Sequence, residues 1–291
     1  MVAHQKSKPR FTCTTVCAAP PQKKFKPKRL IDIPEDDANL RGQLRIKPPP
    51  DEVKTEFNWD CRLWMSIDVE THDLAPPSDR KWETGSFGHL RRALDITKVQ
   101  ALRIVQIGWA FGDFGADTQP ITKTLLVRPD GFEITKAAAA IHGITTQHAA
   151  ANGVELKEAL AEVVADANRV VSKFGRLCAH NLEFDATIVE EEMSRSNFDA
   201  DARANFFHAI QGGMCTMDPY LTKWCCEDHL RATDLYGDER DTLMHPVGLG
   251  NLVRVLDPDL QETCKPAHDA GADSRAAWLV LKELHRIVRG D

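Results

Sequence analysis

Two hydrophobic patterns divide the chain downstream of residue 59. In the first part, apolar residues form short runs typical of strands, at 62–69, 103–110 and 122–127. Gly and Pro residues supply tight connections between these runs, which predicts an antiparallel meander. In the second part, apolar residues recur every three to four positions, which is the helical period, around a brief buried strand at 176–179. The order of elements predicts an α/β sandwich with a mixed sheet.

Helices are predicted mainly after the meander, at 135–141, 155–173, 183–193, around 202–210, 249–256 and 271–288. Two segments interrupt this pattern as insertions. The first, 75–100, contains several Pro and Gly residues, and we expect a short helix in it around 89–94. The second, 199–245, ends in a polar, loop-like part at 231–245. The composition of the insertions does not indicate what they do.

Residues 1–56 have a different composition. They are rich in Pro and lack apolar periodicity, and their first 29 residues carry eight basic side chains and no acidic ones. We predict a disordered tail at 1–56 in front of a folded domain at 57–291. A solvated linker is the simplest interpretation of the tail. A nuclear localisation signal, a nucleic-acid tether and an organelle transit peptide remain open as alternatives.

The charge is unevenly distributed along the chain. The whole chain has a net charge of −6, but residues 1–55 carry twelve basic and six acidic side chains, whereas the remainder carries 25 and 37. An acidic body argues against unaided binding of phosphates. It does not exclude a nuclease, because carboxylates can bind a metal that in turn binds phosphate.

The eight cysteines form no compact disulfide framework, and no apolar signal peptide precedes them. We therefore expect reduced thiols in an intracellular protein, cytoplasmic or nuclear. Cys225-Cys226-x-x-His229, with Cys215 upstream, fits no standard zinc spacing, so no zinc site is predicted. No apolar stretch is long enough to predict a membrane span.

Five titratable residues are candidates for chemistry. Asp68 and Glu70 are two residues apart in the first strand, so both point to one face, where a divalent cation would offset their repulsion. Asp185 is expected in the first turn of a helix. His268 is expected on the loop before the last helix, with Asp273 in its first turn. Taken alone, Asp185 would be interpreted as a solvated acid at a helix start and His268 as a surface histidine. Together they suit hydrolysis of a phosphodiester by two metals about 3.5–4 Å apart, with His268 as general base.

Three motifs resemble those of the DEDDh 3′–5′ exonucleases, which belong to the ribonuclease-H-like superfamily and include polymerase proofreading subunits and ribonuclease T-type enzymes. The motifs are Asp68-x-Glu70-Thr71, His180-Asn181-x-x-Phe184-Asp185 and His268-x-Ala270-x-x-Asp273. The resemblance covers roughly residues 60–288. Weaker similarities support it in the expected order, at 103–108, 140–145 and 215–218.

The resemblance implies a ribonuclease-H-like α/β fold, with a mixed five-stranded sheet flanked by helices. It implies that Asp68, Glu70, Asp185 and Asp273 bind two Mg²⁺ or Mn²⁺ ions, that His268 is the base, and that nucleoside monophosphates leave the 3′ end. Residues around the terminal nucleotide would be Thr71, His142, Ile144, Asn181 and Phe184. Phe184 could equally belong to the core. Single-stranded 3′ ends of DNA or RNA are the expected partners, and no protein partner is indicated.

Two consecutive positions depart from the family pattern. Relatives often follow the first motif with Thr or Ala and then Gly, whereas this chain has His72-Asp73. Asp73 could disturb the approach of substrate, serve the metals, or lie in a solvated loop. Two other functions are weighed against the enzyme: a catalytically silent nucleic-acid-binding or polymerase-associated subunit, and a structural or partner-binding protein that works through its basic tail. The presence of all five chemical residues favours the enzyme.

Overall fold

The central element of the fold is a five-stranded mixed sheet. The structure is a computed structural model that describes residues 59–77, 82–86, 88–93, 95–218, 221, 247–256 and 268–289. The predicted tail at 1–56, the polar loop at 231–245 and the Cys225, Cys226 and His229 cluster lie outside these residues. The described strands are β1 (Leu63–Thr71), β2 (Trp82–Thr84), β3 (Leu90–Arg92), β4 (Ile104–Asp113), β5 (Ile121–Leu126), β6 (Arg176–Ala179) and β7 (Met214–Cys215).

The sheet order is β5-β4-β1-β6-β7, with β1 in the centre. Strands β1, β4 and β5 pair antiparallel, which confirms the predicted meander. Strand β6 pairs parallel to β1, and β7 pairs parallel to β6. The predicted mixed five-stranded α/β fold is therefore confirmed.

The helices cover both faces of the sheet. They are α1 (Ile96–Gln100), α2 (Lys136–His142), α3 (Thr146–Asn152), α4 (Leu156–Val171), α5 (Leu182–Arg195), α6 (Ala200–Gln211), α7 (Leu249–Leu256) and α8 (Ala270–Arg289). The six helices predicted downstream of the meander are present within a few residues of their expected ends. No described helix has the length and apolar character that a membrane crossing requires.

The prediction of a short helix around residues 89–94 is wrong. Leu90–Arg92 instead forms β3, which pairs antiparallel with β2. The Arg91 guanidinium lies 2.8 Å from the Glu83 carboxylate in the register pair that joins the two strands. A six-residue helix has few internal hydrogen bonds to offset the cost of its first turn, whereas the hairpin satisfies its backbone across strands.

Alternation along β1 divides the core into two parts. Met65, Ile67 and Val69 pack in the larger core, with apolar residues of α4, α5 and α6. Trp64 points to the opposite face, where it packs in a second core with Trp278 of α8. The Trp278 indole N–H donates to the Trp64 carbonyl at 3.0 Å. Helix α8 therefore lies across the face of β1 that also carries the polar residues of the strand.

A buried carboxylate joins α4 to the outer strands. Asp166 is 1% exposed. It accepts a hydrogen bond of 2.9 Å from the Trp109 indole and lies 2.6 Å from the Lys123 ammonium and 2.7 Å from the Arg169 guanidinium. Burial alone would raise the pKa of Asp166, but the hydrogen bonds from Lys123 and Trp109 and the charges of Lys123 and Arg169 hold it below its usual value. The network therefore favours the ionised carboxylate.

Candidate metal and catalytic site

The first two acids stand where α8 crosses the sheet. Asp68 and Glu70 are half-buried neighbours on one face of β1, as the strand period predicts. Across the sheet, Asp68 pairs with Gly108 and Glu70 pairs with Gln106 of β4. A Cβ atom on Gly108 would overlap the backbone of Ala270 and Gly271. The absence of a side chain at residue 108 therefore lets the first turn of α8 lie directly beside the two carboxylates.

Asp185 reaches the site because β6 is short. β6 pairs with β1 only from Trp64 to Ser66, so the far end of β1 has no strand on that side. The chain turns at Asn181, whose φ of 72° is left-handed, and starts α5. Asp185, 3% exposed, then accepts a hydrogen bond of 3.0 Å from the Val69 N–H. The carboxylate takes the place of a strand partner and lies beside the residues that flank Val69.

The start of α8 brings in the last acid and the histidine. His268 is exposed, precedes the helix and has a left-handed φ of 61°. Its backbone N–H donates to the Asp273 carboxylate at 2.9 Å. One potential ligand atom from each of Glu70, His268 and Asp273 lies within 4.8 Å of the other two. The predicted loop position of His268 and first-turn position of Asp273 are both found.

The carboxylates perturb one another. Burial raises the pKa of Asp68 well above its usual value, and the charges of Asp185 and Asp273 raise it further. Burial also raises the pKa of Asp185, although the hydrogen bond from the Val69 N–H opposes this. The pKa of Glu70 rises to about 7, because of burial and then the charges of Asp273 and Asp269. Carboxylates that repel one another in this way favour a bound cation, because each carboxylate is attracted to the cation.

The donor set fits a hard divalent cation. All four acids offer carboxylate oxygens, the ligands that Mg²⁺ and Mn²⁺ prefer. Burial raises the pKa of Asp273, and the His268 backbone hydrogen bond and charge oppose that rise. The pKa values of all four acids are raised, so each ionises less readily here than it would in solution. The residues present therefore fit the binding of divalent metal.

Three of the predicted nucleotide contacts meet through His142. The His142 Nδ1 accepts a hydrogen bond of 3.0 Å from the Ile144 N–H, so its Nε2–H donates to the Thr71 carbonyl at 3.1 Å. Burial lowers the pKa of His142; the hydrogen bond to Thr71 opposes this, and the charge of His268 lowers it further. A neutral His142 thus links the end of β1 to the loop after α2, within electrostatic range of His268.

The other two predicted contacts lie at the start of α5. Asn181 is half-buried at the left-handed turn before the helix. Phe184 is partly buried and packs against the larger core. This packing agrees with the second of the two roles predicted for Phe184, a place in the core.

His180 of the second motif is held in a structural network. Its Nδ1 lies 3.0 Å from the Thr216 hydroxyl. Burial lowers the pKa of His180 to about 4, although a hydrogen bond to the Val247 backbone opposes the shift. His180 is therefore neutral near pH 7 and connects the end of β6 with the segments at Thr216 and Val247.

Asp73, which departs from the family pattern, has one hydrogen-bond partner in its own loop and one at the start of α2. It is exposed, and its Oδ1 accepts hydrogen bonds of 2.9 Å from the Leu74 N–H and 3.0 Å from the Thr135 hydroxyl. Thr135 is also the N-cap of α2. Asp73 thus ties the end of β1 to the start of α2.

The sequence interpretation missed Gln106 and Asp269. The Asp269 carboxylate accepts hydrogen bonds of 3.0 Å from the Ala272 N–H and 3.0 Å from the Gln106 amide. An Asp close to the start of a predicted helix is an N-cap signal, so the capping role of Asp269 was detectable. Its contact with Gln106, 163 positions away, was not.

Comparisons with known proteins agree with this architecture. The chain is similar to a solved structure of exonuclease I used to explain how processivity is achieved, with a TM-score of 0.52, 16% sequence identity, and 79% of this chain and 43% of that chain covered. It is also similar to a product-bound structure of exonuclease I, with a TM-score of 0.50, 15% identity, and coverage of 79% and 46%.

These likenesses show that the chain shares its fold with exonuclease I. The chain spans less than half the length of the exonuclease I structures it matches. No protein-family model matches the chain. No curated protein matches its sequence.

Proposed function

We propose that this chain is a divalent-metal-dependent 3′–5′ exonuclease of the DEDDh kind, acting on single-stranded 3′ ends of nucleic acid. The observation that carries the proposal is the meeting of β1, the start of α5 and the start of α8 at one group of four carboxylates. These segments are far apart in sequence, and no core requirement explains why each contributes an acid there. The fold shared with exonuclease I supports the same activity.

Asp68, Glu70, Asp185 and Asp273 would hold the metal, two Mg²⁺ or Mn²⁺ ions in the proposed enzyme. When bound, the ions supply positive charge that favours ionisation of a water and stabilises charge on the phosphodiester oxygens. Asp185 is oriented by the Val69 N–H and Asp273 by the His268 N–H. These hydrogen bonds restrain both carboxylates before metal binds, which limits the reorganisation that binding requires.

His268 would act as general base and remove a proton from the attacking water. Its exposed position next to Glu70 and Asp273 gives it access both to the cation site and to solvent. A neutral imidazole has one ring nitrogen with a free lone pair, and this nitrogen can accept the proton. The proton can then pass to solvent without crossing the core.

The terminal nucleotide would lie against the end of β1 and the loop after α2. Thr71, His142 and Ile144 form a hydrogen-bonded unit there, and Asn181 supplies a half-buried polar side chain from the start of α5. A terminal nucleotide can enter such a pocket only if it is unpaired, so single strands are the proposed substrate. The metals would engage the phosphodiester that DNA and RNA have in common.

The proposal is tested with matched DNA and RNA oligonucleotides labelled at the 5′ end, in Mg²⁺ or Mn²⁺ and in excess chelator. We expect stepwise shortening from the 3′ end, release of nucleoside monophosphates, and no reaction with a blocked 3′ end or with chelator. His268→Ala is the matched inactive control, because His268 is exposed and its removal leaves the core intact. Shortening from the 5′ end, or activity in chelator, would contradict the proposal. Binding without cleavage would instead identify a silent nucleic-acid-binding subunit.

A further inference from the structure

Gln106 and Asp269 form a two-point clamp between β4 and the start of α8. The Gln106 Oε1 accepts a hydrogen bond of 2.9 Å from the Ala270 N–H, and its Nε2 donates to the Asp269 Oδ2 at 3.0 Å. Because a backbone N–H can only donate, the Ala270 contact determines which end of the amide is oxygen. The amide nitrogen must then face Asp269, so both ends of the side chain are used.

The clamp lies between the acids of β1 and those of α8. Gln106 is the β4 partner of Glu70, and Asp269 directly follows His268. The Asp269 carbonyl also accepts a hydrogen bond of 2.8 Å from the Asp273 N–H. A shift of Asp269 along the sheet would therefore carry His268 and Asp273 with it, away from Glu70.

We propose that Gln106 and Asp269 are a positioning pair that sets the distance of His268 and Asp273 from the carboxylates of β1. This inference rests on the proposed function, since it assigns to the pair the alignment of the same metal and catalytic site. Neither residue is proposed to contact substrate. Both act through the backbone at the start of α8.

The pair is matched in hydrogen-bonding capacity. The Asp269 carboxylate can only accept, and it already accepts from the Ala272 N–H and the Gln106 amide. A Glu at residue 106 would set one carboxylate against another, and an Asn at residue 269 would set one amide nitrogen against another. The double variant Gln106→Glu with Asp269→Asn reverses donor and acceptor and keeps all three hydrogen bonds. It also keeps the net charge of the cluster.

The test compares Gln106→Leu, Asp269→Asn and the double variant with the unsubstituted protein. Gln106→Leu removes the clamp without changing charge. We expect kcat and Mn²⁺ affinity to fall by about 10–100-fold in Gln106→Leu and Asp269→Asn, as is typical when supports of metal ligands are removed, and to recover most of this loss in the double variant. Oligonucleotide cleavage gives kcat, and titration calorimetry gives Mn²⁺ affinity.

Asp199→Asn is the matched control, because Asp199 caps α6 through a hydrogen bond of 2.8 Å from the Ala202 N–H. It loses the same charge at a helix start and should change thermal stability without changing kcat. Unchanged kcat and Mn²⁺ affinity in Gln106→Leu would overturn the positioning role. A double variant as slow as the single variants would overturn the donor–acceptor match. If the wild-type protein cleaves nothing, the proposed function fails, and Mn²⁺ affinity alone still decides whether the clamp aligns the acids.

Discussion

Gly108→Ala should displace the start of α8, where the proposed catalytic residue His268 and the proposed metal ligand Asp273 lie. A Cβ at this position would overlap the carbonyl group of Ala270 and the nitrogen of Gly271. These are backbone atoms, so no side-chain rotation can make room. The start of the helix must move away from β4 by roughly 1 Å or more before carbon atoms regain their normal separation.

The expected effect on catalysis is larger than the effect on stability. Overpacking of this kind lowers the free energy of unfolding by about 1–3 kcal/mol. Replacement of a glycine in a strand raises it by about 0.5–1 kcal/mol, because the unfolded chain becomes less flexible. A misplacement of about 1 Å at a reacting centre, however, can lower the rate about 10²-fold. Helix α8 carries His268 and Asp273 into the site, so their alignment with Asp68 and Glu70 should be lost while the fold is retained.

The assay measures kcat on a labelled single-stranded oligonucleotide, alongside the thermal unfolding midpoint and the affinity for Mn²⁺. Gly250→Ala is the matched control, because a Cβ there would meet no atom within 4 Å and Gly250 lies in a helix where alanine is favourable. Gly108→Ala with wild-type kcat and Mn²⁺ affinity would refute the reasoning that close contact with β4 determines the geometry of the site.

Other variants and conditions test separate parts of the structure. Asp185→Asn retains an acceptor for the Val69 N–H, so turnover should be lost with little change in the melting temperature; normal turnover would contradict its role as a ligand. Asp166→Ala leaves the buried Trp109 indole without its acceptor and should cost about 1–3 kcal/mol in denaturant unfolding. Because the pKa of Asp166 is lowered, this stability is complete above the ordinary value of 3.8 and should disappear as the pH falls further. The pKa of Glu70 is raised from 4.5 to about 7, so the metal-free protein loses stability as the pH rises through that window. Stabilisation by Mn²⁺ should therefore be greater at pH 8 than at pH 6, and equal thermal shifts would argue against Glu70 as a ligand.

The parts of the fold that follow from local pattern could be predicted from the sequence. The period of β1 places Asp68 and Glu70 on one face, because alternation in a strand is a property of the backbone. Helix α4 has enough turns for its apolar period to be distinct. The start of α8 could be located from the residues around Gly271, which placed Asp273 in the first turn.

The parts that depend on distant contacts could not be predicted. The hairpin of β2 and β3 packs near the start of α5, where the His89 N–H donates to the buried Glu183 carboxylate at 3.0 Å. Strand β7 has only two residues and exists because β6 supplies its partner. The Gln106 amide contacts a carboxylate that follows it by 163 positions. In each case the structure depends on a partner that is distant in sequence. The local pattern of apolar residues therefore contains no information about it.

The order in which the ribosome synthesises the three segments determines when the site can form. The polypeptide is synthesised from its amino end, so β1 emerges with Asp68 and Glu70 long before α8 exists, and the second core lacks Trp278 until then. A partly made chain would hold two neighbouring acids without the histidine or the last carboxylate. In the proposed enzyme, the group of four carboxylates and His268 would therefore be complete only after α8 docks.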